Sequence, residues 1–183
     1  MRKLEEKELA RLCAKKDPAS QTELYLKYAG KLFALCLRYS TDRNDAEDLL
    51  LESFIRALDK IGSFKYRGEG SLYAWLSRIA VNLAINRISR SKFRYDSLDS
   101  MAIEPVEEPS ADDVGTIPKE KMLEMIANLP PTKKAVFNLY CIEGYSHREI
   151  ADMLGITEKG SAGILAKARM ILKKEINDCL KNR

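Results

Sequence analysis

The stretch "REIADMLGITEKGSAGILAKAR", residues 148–169, predicts two short helices around a tight turn. Ala151 is small enough for the helices to cross closely, and Gly155 stands where the turn needs a left-handed backbone. Ile156 follows as a buried aliphatic residue, and Thr157 is placed to cap the second helix. An ordinary helical hairpin can also use a glycine turn. This order of residues nevertheless favours a helix-turn-helix, whose second helix enters the DNA major groove.

The second helix of this motif begins with two glycines, Gly160 and Gly163, where side chains that read bases are expected. Each glycine costs about 1 kcal/mol in helix propensity, but it also lets the backbone approach a sugar–phosphate wall. Tight packing against a neighbouring helix explains Gly163 equally well. We therefore expect few base contacts from this helix, with phosphate anchoring and groove shape contributing much of the binding.

Outside the motif, helical periodicity dominates and strand alternation is nearly absent, which predicts an all-α chain. Residues 42–61 begin with acidic side chains, which suit the N-terminal turn of a helix. Residues 21–40 carry a single apolar stripe at helical spacing, formed by Leu24, Tyr28, Leu32, Leu35 and Tyr39.

Glycine, proline and serine set the predicted helix boundaries. The stretch "FKYRGEGS", residues 64–71, carries two glycines and must be a loop, after which Ser71 can cap a long helix. Pro131 can open a helix at its first turn, and Gly144 is placed to end that helix. Ser146 can then cap the first helix of the helix-turn-helix.

Charge divides the chain into three parts. Residues 1–95 carry a net charge of +7, from 19 basic and 12 acidic residues. Residues 96–118 carry seven acidic and no basic residues and hold three of the six prolines, whereas residues 119–183 have a net charge of +4, from 12 basic and eight acidic residues. We predict two basic helical domains that meet a polyanion, 1–95 and 119–183, joined by an acidic flexible linker.

Several classes of protein are disfavoured by composition. The four cysteines are widely spaced and His147 is the only histidine, so neither a metal site nor another cofactor is expected, and the cysteines are expected to be buried and reduced. The sequence shows no phosphate-cradling loop, which disfavours an enzyme acting on nucleic acid. It also shows no signal peptide and no apolar run of about 20 residues, so we expect a cytoplasmic protein with no membrane insertion of its own.

A polar stripe follows the helix "YAWLSRIAVNLAINRISR", residues 73–90. Polar side chains recur there every four residues, at Arg78, Asn82, Asn86 and Arg90. Another face, which is apolar, holds Leu72, Leu76, Ile79 and Leu83. Most polar helix faces are simply solvated, but asparagine is a middling helix former that gains from having a partner. The aromatic residues of the preceding loop can stack on unpaired bases.

At these residues the chain resembles the bacterial RNA polymerase sigma factors of the extracytoplasmic-function (ECF) group. The stretch "DAEDLLLESFIRAL" (45–58) is similar to the region-two helix that docks on the polymerase clamp. Residues 66–90 are similar to the loop and helix that melt and read the −10 promoter element. Residues 129–169 are similar to region four, which binds the −35 element.

The resemblance implies roles for individual residues. The residues facing the polymerase would be Asp45, Asp48, Leu49, Glu52 and Phe54, although at least one of the two apolar residues is expected to be core. Contacts to the −10 element would come from Tyr66, Arg67, Gly68, Glu69, Gly70, Ser71, Arg78, Asn82, Asn86, Arg87 and Arg90, with Asn82 contacting a flipped base. Trp75 matches a family aromatic, but we expect a single tryptophan on an apolar-rich helix to be core.

For the −35 element, the resemblance implies contacts from the helix-turn-helix, at Ser146, Arg148, Lys159, Gly160, Ser161, Gly163 and Lys167. The chain departs from the family pattern at Asn86, where many members have aspartate, and at Ile164 and Lys167, where glutamine and arginine are more usual. These departures bear on the promoter sequence that is read and not on the class of protein.

The implied function is that of an alternative sigma factor, which binds core RNA polymerase and directs it to promoter DNA. The family also implies an anti-sigma factor as a partner, a monomeric state when free or bound to polymerase, and no enzymatic activity. The alternative is a stand-alone helix-turn-helix transcription regulator, in which the N-terminal half senses a signal or dimerises. That alternative leaves the polar stripe and "DAEDLLLESF" without a role.

Overall fold

The computed structural model describes residues 4–92 and 115–181, and over those ranges the chain is helical, with no strand. The chain divides into two compact units, Met1–Asn86 and Arg87–Arg183. The all-α prediction is confirmed for the described residues. All but the last four residues of the predicted linker, 96–118, lie outside the described ranges.

The described residues of the N-terminal unit form four helices, the last of which continues past the unit's end at Asn86. They are α1 (Glu6–Ala14), α2 (Pro18–Tyr39), α3 (Arg43–Lys60) and α4 (Ser71–Lys92), with a 3-10 turn at Ile61–Ser63 between the last two. Carboxylate caps start the middle helices, since Asp17 accepts a hydrogen bond from Ser20 N–H at 2.8 Å and Asp42 accepts one from Asp45 N–H at 2.9 Å. The apolar stripe predicted for α2 is confirmed, because all five of its residues are buried.

Two short helices of the C-terminal unit are α5 (Lys119–Ala127) and α6 (Pro131–Phe137). Pro131 opens α6 as predicted, but α6 continues into a π turn, Asn138–Ile142, before Gly144 reverses the chain with φ 78°. Ile117, which lies inside the predicted linker, packs with Met125 and Ile176 in the core of this unit.

The last two helices are α7 (His147–Leu154) and α8 (Glu158–Lys181), and they form the predicted helix-turn-helix. Ser146 caps α7 in a capping box with Glu149, and Gly155 ends α7 in the left-handed conformation, with φ 67°. Thr157 then accepts a hydrogen bond from Gly160 N–H at 2.9 Å and caps α8. These local predictions are confirmed because each depends on residues only a few positions apart.

Candidate nucleic-acid interface

The polar stripe of α4 is exposed over its described length. Arg78, Asn82 and Asn86 are exposed, and Arg87 is half-buried. The side chain of Arg90 lies outside the described part of the chain. On the opposite face Leu72 and Leu76 are fully buried, whereas Ile79 and Leu83, predicted to share that face, are half-buried. The helix therefore presents hydrogen-bonding side chains that are spaced about one turn apart. Its buried residues pack against the rest of the unit and hold the helix in place.

The loop before α4 is ordered by backbone conformation and by one hydroxyl. Gly68 and Gly70 have φ 121° and φ 85°, values that side chains rarely adopt. The Ser71 hydroxyl donates to the Gly68 carbonyl at 2.6 Å and accepts from Arg67 N–H at 3.2 Å. Ser71 is the first residue of α4, and its hydroxyl stabilises the loop. The prediction that Ser71 caps the helix is therefore wrong.

Four side chains of this loop are exposed to solvent, those of Lys65, Tyr66, Arg67 and Glu69. The exposed fraction of Tyr66 is 43%, which leaves its ring free to stack. Trp75, expected to be core, is only half-buried, and its ring lies 5.5 Å from that of Phe64 at an interplanar angle of 57°. Of the predicted −10 residues, Arg78, Asn82 and Asn86 are thus exposed on α4, and the exposed loop residues come directly before that helix in the chain.

The first turn of α4 is held by Glu6, a residue that the sequence patterns do not single out. Glu6 is buried, and its Oε2 accepts a hydrogen bond from Leu72 N–H at 3.2 Å. Its Oε1 accepts from the Tyr28 hydroxyl at 2.8 Å. Burial, followed by this hydrogen bond, raises the pKa of Tyr28 well above its ordinary value. The pair is 22 residues apart in sequence, so no local pattern could reveal it.

The predicted contact of Ser161 with the −35 element is wrong. Ser161 is fully buried, and its hydroxyl lies 3.0 Å from Nδ1 of His147 at the start of α7. The His147 ring in turn stacks on that of Tyr140, with ring centroids 4.4 Å apart. Ser161 therefore ties α8 to α7 and offers no side chain to DNA. The sequence could not show that Ser161 is buried, because serine is common both on DNA-binding surfaces and between packed helices.

The two glycines of α8 differ in their surroundings. A Cβ on Gly160 would lie 3.1 Å from Oγ1 of Thr157, so the helix cap itself explains a glycine there. A Cβ on Gly163 would meet no described atom within 4 Å. Packing against a neighbouring helix therefore does not explain Gly163 in the described part of the chain.

The other predicted −35 residues remain at the surface of the helix-turn-helix. Arg148 and Lys159 are exposed and Lys167 is half-buried. Ser146 is exposed too, but its backbone N–H and hydroxyl both donate to Oε2 of Glu149, at 2.9 and 2.8 Å. Ser146 is thus a capping residue first, and the basic side chains carry the positive charge of this face.

The predicted polymerase-facing residues separate into core and surface. Leu49 and Phe54 are buried, with exposed fractions of 2% and 5%, and Phe54 contacts the ring of Tyr25 at 4.9 Å between centroids. Neither can contact another protein in this conformation, so a direct docking role is wrong for both. The expectation that at least one is core is confirmed.

The apolar surface of α3 is instead formed by Leu51 and Ile55, with exposed fractions of 52% and 61%. Asp48 is exposed and Glu52 half-buried on the same helix face, at spacings of three and four residues. Sequence reasoning missed Leu51 and Ile55, although the run Leu49–Leu50–Leu51 covers more than one helix face and so must expose a leucine.

Residues 4–92 and 115–181 hold no cluster of three or more His, Cys, Asp or Glu that could bind a metal ion. No helix there combines the length and apolar character that crossing a bilayer requires. Cys13 and Cys36 are buried as expected, Cys179 is half-buried, and Cys141 is exposed, which corrects the expectation for that residue.

Comparison with known proteins finds two family matches along the chain. Residues 24–94 match the family Sigma-70 region 2, and residues 119–172 match Sigma-70, region 4. The chain is 33% identical to the ECF RNA polymerase sigma-E factor of Haemophilus influenzae, covering 84% of this chain and 85% of that protein. It is 29% identical to the ECF RNA polymerase sigma factor SigW of Bacillus subtilis, over 82% and 86% of the two chains.

Among solved structures, the chain is similar in fold to the sigma factor RpoE of Bartonella quintana, solved with the anti-sigma factor NepR. The TM-score is 0.52 at 22% identity, and the match covers 86% of this chain and 96% of the other.

Proposed function

This chain belongs to the ECF group of RNA polymerase sigma factors, and from that premise we propose how its residues divide the work of transcription initiation. It is an alternative sigma factor that binds core RNA polymerase and directs it to specific promoters. We assign −10 recognition and melting to the N-terminal domain, 1–95, and −35 binding to the C-terminal domain, 119–183.

For the −10 element, the proposal is carried by one observation: Asn82 is exposed in the middle of the polar stripe, on a helix whose opposite face is buried. A fixed amide can hydrogen-bond the edge of an unstacked base. The loop of residues 66–71 supplies the exposed ring of Tyr66. Arg78 contacts the phosphates, since it lies one turn before Asn82 and is exposed.

For the −35 element, Arg148 and Lys159 anchor phosphates, while the backbone at Gly163 approaches the groove wall. Buried Ser161 stabilises the two helices against each other and makes no DNA contact. This arrangement favours recognition by groove shape over base reading.

For the polymerase, we assign docking to the exposed face of α3 that contains Asp48, Leu51, Glu52 and Ile55. Exposed leucine and isoleucine one turn apart, flanked by carboxylates, form an apolar centre with a charged rim, which suits a protein–protein contact.

The remaining assignments follow from membership of this family. The chain acts as an initiation factor in the cytoplasm, and the chemistry of RNA synthesis belongs to the polymerase. Because the Bartonella quintana relative is solved with an anti-sigma factor, we propose that a partner of the same kind restrains this chain. The chain works as a monomer, alone or in the holoenzyme.

The test of the −10 assignment is the substitution Asn82→Ala. We expect promoter opening by the holoenzyme, followed by permanganate reactivity of unpaired thymines, to fall about tenfold, as expected for the loss of a desolvated hydrogen bond to a base. Core binding should not change. Asn128→Ala, which removes an exposed asparagine from the C-terminal unit, is the control. Equal losses of opening and of core binding would contradict the assignment.

A further inference from the structure

Helix α1 has no role in the function described so far, and it lies before the segment that matches region 2, residues 24–94. Yet α1 places Glu6 at the start of α4, 66 residues later in the chain. Glu6 is 9% exposed, although a carboxylate is rarely buried without partners. Both of its oxygens are occupied, one by Tyr28 and the other by the backbone of Leu72.

The bond to Leu72 serves a backbone group that water and local caps do not reach. Leu72 is fully buried, and its N–H is in the first turn of α4, where helices leave donors without partners. Ser71, the residue that would cap this helix locally, has its hydroxyl engaged by the loop. The charge of Glu6 also suits the positive end of the α4 dipole.

Tyr28 fixes the carboxylate from the other side. Its hydroxyl donates a hydrogen bond to Oε1 of Glu6 at 2.8 Å. The Tyr28 ring faces that of Tyr73 at 6.2 Å between centroids and 22° between planes. Three helices, α1, α2 and α4, therefore meet at Glu6, directly behind the loop of residues 66–71.

We propose that Glu6 is a positioning residue for promoter melting, which sets the direction of α4 at its first turn and with it the base-binding loop. Glu6 touches no DNA; it acts through Leu72 and Ser71. The proposal rests on the −10 assignment made above, because only if the loop and Asn82 bind DNA does their placement affect promoter opening.

The experiment measures binding of the assembled holoenzyme to a fluorescent single-stranded oligonucleotide. The oligonucleotide carries the non-template strand of a promoter that run-off transcription has identified. Glu6→Ala should weaken binding about tenfold, as expected for the loss of a charge-assisted hydrogen bond. Glu6→Gln, which keeps one acceptor oxygen, should restore part of the binding. Tyr28→Phe should weaken binding less than Glu6→Ala does.

The matched control is Asp17→Ala, which removes the carboxylate that caps α2 in the same unit. We expect it to lower the melting temperature about as much as Glu6→Ala does, with oligonucleotide binding within twofold of the unchanged chain. A purely structural role for Glu6 would make the two variants alike in binding, and that result would overturn the proposal. If Glu6→Ala does not fold, full binding by Tyr28→Phe and Glu6→Gln would overturn it.

The same assay separates this proposal from the −10 assignment. If Asn82→Ala weakens oligonucleotide binding and the Glu6 variants do not, only the positioning role fails. If Asn82→Ala binds as well as the unchanged chain, the −10 assignment fails, and the positioning role fails with it.

Discussion

At the scale of single residues, the two glycines of α8 have different surroundings and so different effects when substituted. A Cβ added at Gly160 would lie 3.1 Å from the capping hydroxyl of Thr157, so that hydroxyl would have to shift by a few tenths of an ångström. Gly163 has open space around it in the described part of the chain, so the free protein gives no reason for a residue that weakens a helix. We infer that its reason lies in the bound state, where the backbone meets the sugar–phosphate wall.

We therefore predict opposite effects of Gly163→Ala on the free and the DNA-bound protein. The free chain should gain up to about 1 kcal/mol in free energy of unfolding, from improved helix propensity. Binding of the holoenzyme to a duplex carrying the −35 element should weaken, as measured by fluorescence anisotropy. Ala166→Ser, which adds an atom at an exposed position of the same helix, should leave binding unchanged. Unchanged binding by Gly163→Ala would remove this glycine from the interface.

Single residues also mark where sequence reasoning reaches its limit. The Ser146 cap and the Gly155 turn are predictable because their partners lie within five residues. Ser161 and Glu6 are not, because the atoms that bury them belong to other helices. The residue type alone cannot say whether a serine faces DNA or His147.

At the scale of the element, α3 carries its core residues and its exposed apolar residues on different faces. Leu49 and Phe54 pack inward, while Leu51 and Ile55 point to solvent. Helix α3 lies within the segment that matches Sigma-70 region 2, but that match does not say which of its adjacent apolar residues is exposed. That depends on the angle at which α3 packs against α2, which only the folded unit fixes.

For this helix we predict that Ile55→Ser weakens core polymerase binding about tenfold, since truncating an apolar anchor often costs more than 1 kcal/mol. The free energy of unfolding should change by less than about 0.5 kcal/mol, because the side chain is already solvated. The measurement is a titration of labelled chain with core polymerase. Leu37→Ser, at an exposed leucine of α2, is the control. Equal weakening by both variants would contradict a docking face on α3.

At the scale of the whole molecule, the chain consists of two compact units, and the two family matches fall one on each side of residues 95–118. The division of charge along the sequence points to the same organisation, because two basic parts flank a part that carries only acidic charge. The boundaries at residues 95 and 118 stay a prediction.

Deletion of residues 119–183 tests the division of work between the units. We expect the truncated chain to bind core polymerase nearly as well as the full chain, because the docking face lies on α3. It should lose the preference for DNA that carries the −35 element, measured by competition between matched and scrambled upstream sequences. A large loss of core binding would show that the C-terminal unit also docks, and would end the simple two-part assignment.

Run-off transcription tests the central claim most directly. Purified core polymerase is given a library of genomic fragments, with and without this chain, and the transcripts are sequenced at their 5′ ends. We predict discrete transcripts that appear only when the chain is present and that share two upstream sequence elements. If no transcripts appear while the chain alone binds specific DNA tightly, the account is contradicted, and the chain acts as a stand-alone regulator.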